Sequence, residues 1–270
     1  MPVDDVVTEA LGARDATLVI ETVRAAGALA LRMFRTELRN WTKGKSSPVS
    51  EADIAVNDLL HSRLAAATPA YGWLSEESAD DAVRLRRERV WVVDPIDGTR
   101  SFLAGQEDWC VSLALVEGAA PLIGAVFVPV SGEMFFAVRG AGATLNGQPI
   151  RAAAGTRLDP TRMVGPKPLI QRLGQALEPG AIHPRIGSLA LKICRAAEGR
   201  LDAAFAGGQS HDWDLAAADL IVHEAGGTMT TLAGDTIVYN RPEVSHETLV
   251  AAGRERHGRI VEEFRRQSLL

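Results

Sequence analysis

Val90-Trp91-Val92-Val93-Asp94-Pro95-Ile96-Asp97-Gly98-Thr99 is an apolar run that stops in two acids, a proline and a glycine. Four apolar residues in succession, three of them β-branched, predict a strand buried on both faces. The Asp-Pro and Asp-Gly steps that follow predict a tight turn. Two carboxylates then stand at the end of a core strand. Ligands bind at that end in open α/β sheets, and acids held there away from water are costly unless a cation neutralises them.

On the N-terminal side, apolar residues at Leu18, Val19, Val23, Ala26, Leu29, Ala30 and Met33 predict one face of a helix over 17–33. The polar stretch 40–50 reads as a loop. A second helix is expected over 51–67, and Ser50-Glu51-Ala52-Asp53 has the spacing of a capping box at its start. A short strand over 71–74 runs into Ser75-Glu76-Glu77-Ser78. Arg84, Arg86, Arg87 and Arg89, interspersed with acids, read as a solvated, charge-paired face, with phosphate steering as the other reading.

On the C-terminal side, strands are expected over 110–116, 122–128 and 133–138, with Asn146-Gly147 marking a turn. From Met163 the pattern alternates: a strand over 182–186, a helix over 189–198, a strand over 201–205 and a helix over 213–225, stopped by Gly226-Gly227. The expected architecture is an α/β sandwich. A sheet-rich half, 1–150, carries most of the candidate acids, an alternating half, 151–270, carries Asp214, and the two form one unit.

A net charge of −5 argues against a nucleic-acid polymer as partner but leaves room for a small phosphorylated molecule at a local site. No apolar run approaches the ~18 residues of a membrane span, and acids occupy the N-terminus where a secretory signal is basic. Cys110 and Cys194, each flanked by apolar residues, read as buried reduced thiols. A cytoplasmic protein is the expectation.

The carboxylates at turn-like ends of elements are Glu76, Asp94, Asp97 and Asp214. Each has a local explanation: Asp94 opens an Asx-Pro turn, Asp97 precedes a glycine, and Glu76 belongs to an exposed acidic pair. Taken together, oxygen ligands with no Cys or His at ligand spacing favour Mg²⁺, which works alongside phosphate oxygens. Two acids three residues apart across a turn suit a two-cation phosphoryl-transfer site, with Asp94 shared. Asp53 fits two readings, the closing acid of a capping box and a water-orienting acid. Asp212 reads as the cap of the last helix, His211 and His223 as structural or exposed, and Lys43 or Lys45 as solvated or site-contacting.

The run Trp91–Thr99, with Glu76-Glu77-Ser78 before it and Trp213-Asp214-Leu215-Ala216-Ala217-Ala218 and Glu224-Ala225-Gly226-Gly227 after it, resembles the inositol monophosphatase superfamily. These are Mg²⁺-dependent, lithium-sensitive phosphatases. The resemblance implies a layered αβαβα sandwich and two or three Mg²⁺ ions. It also implies Glu76, Asp94 and the Ile96 carbonyl as ligands of one ion, and Asp94, Asp97 and Asp214 as ligands of a second. A third ion would lean on Glu76. Thr99 and Asp53 would orient the attacking water, the amides of Gly98 and Thr99 would hold phosphate, and a homodimer would be expected.

Inositol-specific relatives carry a glutamate seven residues before the second-motif aspartate; here that position is Gly207. Arg100, Glu107-Asp108-Trp109, Gly207-Gly208-Gln209 and Tyr239-Asn240-Arg241-Pro242 look like bacterial 3'(2'),5'-bisphosphate nucleotidases. That likeness implies 3'-phosphoadenosine 5'-phosphate as substrate, with Arg100 beside its second phosphate. Inositol 1-phosphate and histidinol phosphate are the alternatives, and a non-catalytic binder of a phosphorylated metabolite is the alternative of another class.

Overall fold

In the computed structural model, which describes residues 3–43, 47–183 and 185–268, the Trp91 run is an interior strand between two helical layers. In chain order, α1 (Val3–Met33) is followed by a hairpin of β1 (Asn40–Lys43) and β2 (Ser47–Ser50), then α2 (Glu51–Ala67) and β3 (Gly72–Ser75). Next come β4 (Arg89–Asp97), α3 (Thr99–Leu103), β5 (Cys110–Glu117), β6 (Ala120–Val128), β7 (Glu133–Val138), β8 (Gly142–Leu145) and β9 (Gln148–Pro149). The remainder comprises β10 (Met163–Val164), α4 (Lys167–Gln171), α5 (Leu189–Ala197), β11 (Ala203–Ala206), β12 (Ser210–His211) and α6 (Asp212–Glu224). It closes with β13 (Gly227–Thr231), β14 (Ser245–His246), β15 (Leu249–Gly253) and α7 (Arg254–Ser268).

β3 to β9 form one sheet in sequence order, with β3 parallel to β4 and the rest antiparallel. A second sheet has the order β10-β11-β15-β13. The two-residue side-chain period of a strand explains how these sheets stack. Trp91 and Val93 of β4 pack with Val19, Val23, Leu60 and Leu64 of α1 and α2, while Val90 and Val92 pack with Leu215 and Ala216 of α6. In the second sheet, Leu249 and Ala251 of β15 join that α6 layer, and Val250 and Ala252 face Ile260 and Phe264 of α7. The layers therefore run α1/α2, sheet, α5/α6, sheet, α7, the αβαβα sandwich expected above.

Local chemistry sets several boundaries. Ser50 caps α2 and Asp53 closes the capping box. Asn146 and Gly147, both at positive φ, turn β8 into β9 as a two-residue hairpin requires. Gly124 on β6 lets α6 approach: a Cβ there would lie 2.7 Å from the Ala217 carbonyl oxygen.

Some expectations need correction. α1 begins at Val3, far before residue 17. The 40–50 segment holds the β1–β2 hairpin, whose strands show little apolar alternation because β1 is mostly exposed. No strand forms over 182–186 among the described residues there; that stretch is irregular, and an isolated strand has no partner for its backbone. Arg84 is buried, with Asp80, Asn240 and the Arg241 carbonyl around its guanidinium. Arg89 lies against Glu117, Asp15 and Tyr71. These two arginines tie elements together and are not part of a solvated face. Cys110 and Cys194 are buried and free, as expected. No helix among the described residues is long and apolar enough to cross a membrane.

Candidate active site

A cleft of about 250 Å³ opens where β3, β4, α3 and α6 meet, lined by Glu76, Asp94, Ile96, Asp97, Gly98, Thr99, Arg100 and Asp214. The expected tight turn is the end of β4 itself. Its pairing with β5 slips between Asp94 and Asp97, so the strand bulges and turns both acids into the cleft. Asp94 also makes the local turn contact, its Oδ1 accepting from the Ile96 amide at 3.1 Å. Gly98 then stands at φ 97°, where a Cβ would lie 3.2 Å from the Asp108 carbonyl and 3.3 Å from the Ser188 amide. Glycine is required there both for its conformation and for space.

Each acid is held by a different element. Asp97 is seated on the N-terminus of α5, where its Oδ1 accepts from the Leu189 amide at 3.1 Å. Its Oδ2 accepts from Ser188 Oγ at 2.5 Å and from the Ala190 amide at 2.6 Å. Asp214 lies in the first turn of α6, and its Oδ2 accepts from the His211 amide at 2.6 Å. One carboxylate oxygen from each of Asp94, Asp97 and Asp214 lies within 4.8 Å of the others.

Burial and mutual repulsion shape the titration of this group. Burial, then the neighbouring Glu76, pushes Asp94 well above the usual carboxylate range. Burial and the Asp214 charge push Asp97 up to about 6, while Ser188 and the α5 amides oppose the rise. Burial, then Asp214 and Glu77, raises Glu76 to about 8 against the pull of Lys43. Carboxylates this close and this averse to ionising together fit a hard divalent cation that would neutralise them.

Asp53 satisfies both of its readings at once. Its Oδ2 accepts from the Ser50 amide at 2.8 Å and from Ser50 Oγ at 2.6 Å. Its Oδ1 accepts from Thr99 Oγ1 at 3.0 Å. The cap thus fixes a carboxylate whose other oxygen faces the threonine at the cleft. Thr99 Oγ1 also lies 3.1 Å from the Ile96 carbonyl oxygen, its second acceptor.

Nearly the whole chain, residues 13–269, matches the model of the inositol monophosphatase family. The chain belongs to the inositol monophosphatase family. Inositol monophosphatase 1 of Solanum lycopersicum is 31% identical over 229 residues, covering 80% of this chain and 84% of that protein. Inositol-1-monophosphatase of Caulobacter vibrioides is 30% identical over 260 residues, covering 92% and 99%. The structure of extragenic suppressor protein suhB from Bartonella henselae superposes with a TM-score of 0.81 at 26% identity, covering 92% of this chain and 97% of that one. As a member of the family, the chain is a metal-dependent phosphoric monoester hydrolase acting on a small phosphorylated metabolite.

Asp212 departs from its sequence reading, while the two histidines and Lys43 take specific partners. Asp212 is not the helix cap, a place taken by His211. It is buried instead, its Oδ1 2.6 Å from His246 Nε2 and its Oδ2 accepting from the Asn240 amide. His211 stacks on Trp213, and Asp214 holds its imidazole above the ordinary range. His223 lies 3.2 Å from Asp219. Lys43 is not simply solvated: it donates to the Glu76 carbonyl at 2.8 Å and pairs with Glu77 at 2.7 Å. Lys45 lies outside the described residues.

Of the nucleotidase-like segments, Arg100 alone lines the acid cleft, and Gly207 lines a neighbouring cavity. Asp108 fastens the 187–188 loop through the Gly187 amide, and the Tyr239 hydroxyl donates to Asp219. Asn240 and Arg241 hold Arg84. Sequence reasoning missed Ser188, Arg185 and Lys192. Only the Ser188 capping position before an amphipathic helix carried a readable signal.

Proposed function

We propose that this chain hydrolyses a phosphomonoester by direct attack of water at the acid cleft, with Mg²⁺ as cofactor. The observation that carries this reading is the convergence of Asp94, Asp97 and Asp214 within one small volume, with Glu76 beside them. In this reading Asp94, Asp97 and Asp214 would hold one ion, Glu76, Asp94 and the Ile96 carbonyl would hold a second, and a third would lean on Glu76. When bound, such ions screen phosphate charge and make a coordinated water more acidic.

The chain's own groups do the rest. Thr99 donates its hydroxyl hydrogen bond to Asp53 or to the Ile96 carbonyl, leaving lone pairs of Oγ1 to accept from an attacking water and aim it. Asp53 cannot swing away, because Ser50 grips its other oxygen. The amides of Gly98 and Thr99 stand at the start of α3, where phosphate oxygens find donors. Arg100 adds a cation at the cleft.

For the substrate, 3'-phosphoadenosine 5'-phosphate is supported by Arg100 at the cleft and by Gly207 in place of a polyol-binding acid. Inositol 1-phosphate has at least equal support, from relatives that carry the name inositol monophosphatase and match across most of their length. The test is phosphate release from both esters and from histidinol phosphate, with Mg²⁺ and with chelator, in ¹⁸O-labelled water. Release with Mg²⁺ alone and one solvent oxygen in the product is expected. Turnover undiminished by chelator, or label recovered on the enzyme, overturns it, and binding without release means a non-catalytic binder.

A further inference from the structure

Next to the acid cleft lies a second cavity of about 410 Å³, and Arg185 lines both. Its walls come from the end of β10 and the start of α4, the loop before α5, the first turn of α5 and the end of β11. They bring Lys167, Arg185 and Lys192 to one space, with Gly207 on the same lining and no acid among the lining residues. Among the described residues, none of these three cations has a carboxylate within ion-pair distance. Elsewhere in the fold the packed arginines do: Arg84 with Asp80, Arg89 with Glu117, Arg195 with Glu133, Arg256 with Asp202.

Lys192 is the telling member. Burial pushes its ammonium below the ordinary range, Asp97 opposes that, and Arg185 adds to it by repulsion. A half-buried lysine that shares a cavity wall with two other cations, with no acid among the lining residues, leaves positive charge that an anion entering the cavity would balance.

We propose that this cavity binds a second phosphate on the alcohol part of the substrate, through Lys167, Arg185 and Lys192. The proposal rests on the phosphomonoesterase reading and specifies its substrate class: an ester cleaved at the acids while its other phosphate sits on the cations. Three cations suit the two charges of a phosphate better than the single charge of a carboxylate, and guanidinium meets phosphate oxygens in a fork. Lysine and arginine are donors only, so the cavity offers a polyol few acceptors, and it repels an ammonium-bearing alcohol such as histidinol. Gly207 leaves the space open, since a Cβ there would meet only the Pro166 ring, at 3.7 Å.

The test is kcat/KM in Mg²⁺ at constant ionic strength. The series is glycerol 2-phosphate and inositol 1-phosphate, 3-phosphoglycerate, histidinol phosphate, and two bisphosphates, fructose 1,6-bisphosphate and 3'-phosphoadenosine 5'-phosphate. At least one bisphosphate is expected to exceed the neutral-alcohol esters by about tenfold or more. Lys192→Met and Gly207→Glu, the latter placing an acid among the cations, are expected to cut that advantage at least about tenfold, chiefly through KM. Lys167→Ala, at an exposed position, carries the same test if Lys192→Met folds poorly.

Equal kcat/KM for neutral and bisphosphate esters overturns the proposal, as does an advantage that survives all three substitutions. A preference for 3-phosphoglycerate over both bisphosphates overturns the phosphate assignment. If no ester is hydrolysed, the phosphatase reading fails, and calorimetric binding of the same series decides the cavity by itself. Tighter binding of a bisphosphate then supports it, and equal or absent binding overturns it.

Discussion

Glu76→Gln is expected to stabilise the protein in chelator while abolishing its turnover in Mg²⁺. In the fold the Glu76 carboxyl titrates at about 8, against a usual 4.5. Between those pH values the folded chain keeps a proton that the unfolded chain has released, so each rise in pH favours unfolding. The penalty is absent below pH 4.5, grows through neutrality and is complete above pH 8. At about 1.4 kcal/mol for each pH unit, it amounts to about 3 kcal/mol at pH 7 as an upper bound. Repulsion shared with Asp214 and Glu77 reduces it, so about 1 to 3 kcal/mol is the expected gain for a glutamine, which cannot ionise. For a chain of this size that corresponds to a rise in Tm of about 2 to 6 °C.

The assay is thermal and urea unfolding of wild type and Glu76→Gln from pH 5 to 8.5, in chelator and in Mg²⁺. The variant's advantage in chelator should widen with pH, and Mg²⁺ should reverse it, because the cation stabilises the wild-type carboxylates and finds a poorer site in the variant. A variant no more stable than wild type in chelator at pH 7 to 8 would falsify the claim that like charges and burial dominate this cleft.

Three further outcomes follow from the geometry. Asp94→Asn should lose turnover by at least about a thousandfold and keep a cooperative unfolding transition, checked by phosphate release and circular dichroism; near-normal activity contradicts its place among the ligands. Thr99→Val should lower kcat by about 10² or more while Thr99→Ser stays within about tenfold, because the hydroxyl does the positioning. Gly124→Ala, whose methyl would press on the Ala217 carbonyl at 2.7 Å, should cost about 1 to 3 kcal/mol in urea unfolding. A neutral result there means that α6 can withdraw from β6 without loss.

The elements most legible from the amino-acid order are those whose signal is local and repeated. α2 starts at Glu51, as the Ser50–Asp53 spacing predicts, because a capping box is satisfied within four residues. β4 to β7 declare themselves by long apolar runs that need burial on both faces whatever packs there. The β1–β2 hairpin escaped notice because its pairing is between backbones and its side chains are mostly exposed. Asp212 misleads for a related reason: an acid before an apolar helix is a good cap on local grounds, but His246 and the Asn240 amide, distant in sequence, claim its carboxylate.

By itself, the sequence determined an α/β sandwich and the acids at the end of the Trp91 strand, and its family resemblance implied the αβαβα layering. Strand and helix periods are local, and an acid at the end of a buried strand is conspicuous because burying it is costly. Only the tertiary structure decided what those acids rest on and what faces them. Asp97 is held by amides of α5 some ninety residues away, Asp53 reaches Thr99 while capping its own helix, and Lys167, Arg185 and Lys192 meet in one cavity. None of these pairings leaves a pattern along the chain. Each depends on where two sheets and a shared helical layer bring distant side chains, and the Asp94–Thr99 stretch became a site only when α5 and α6 closed around it.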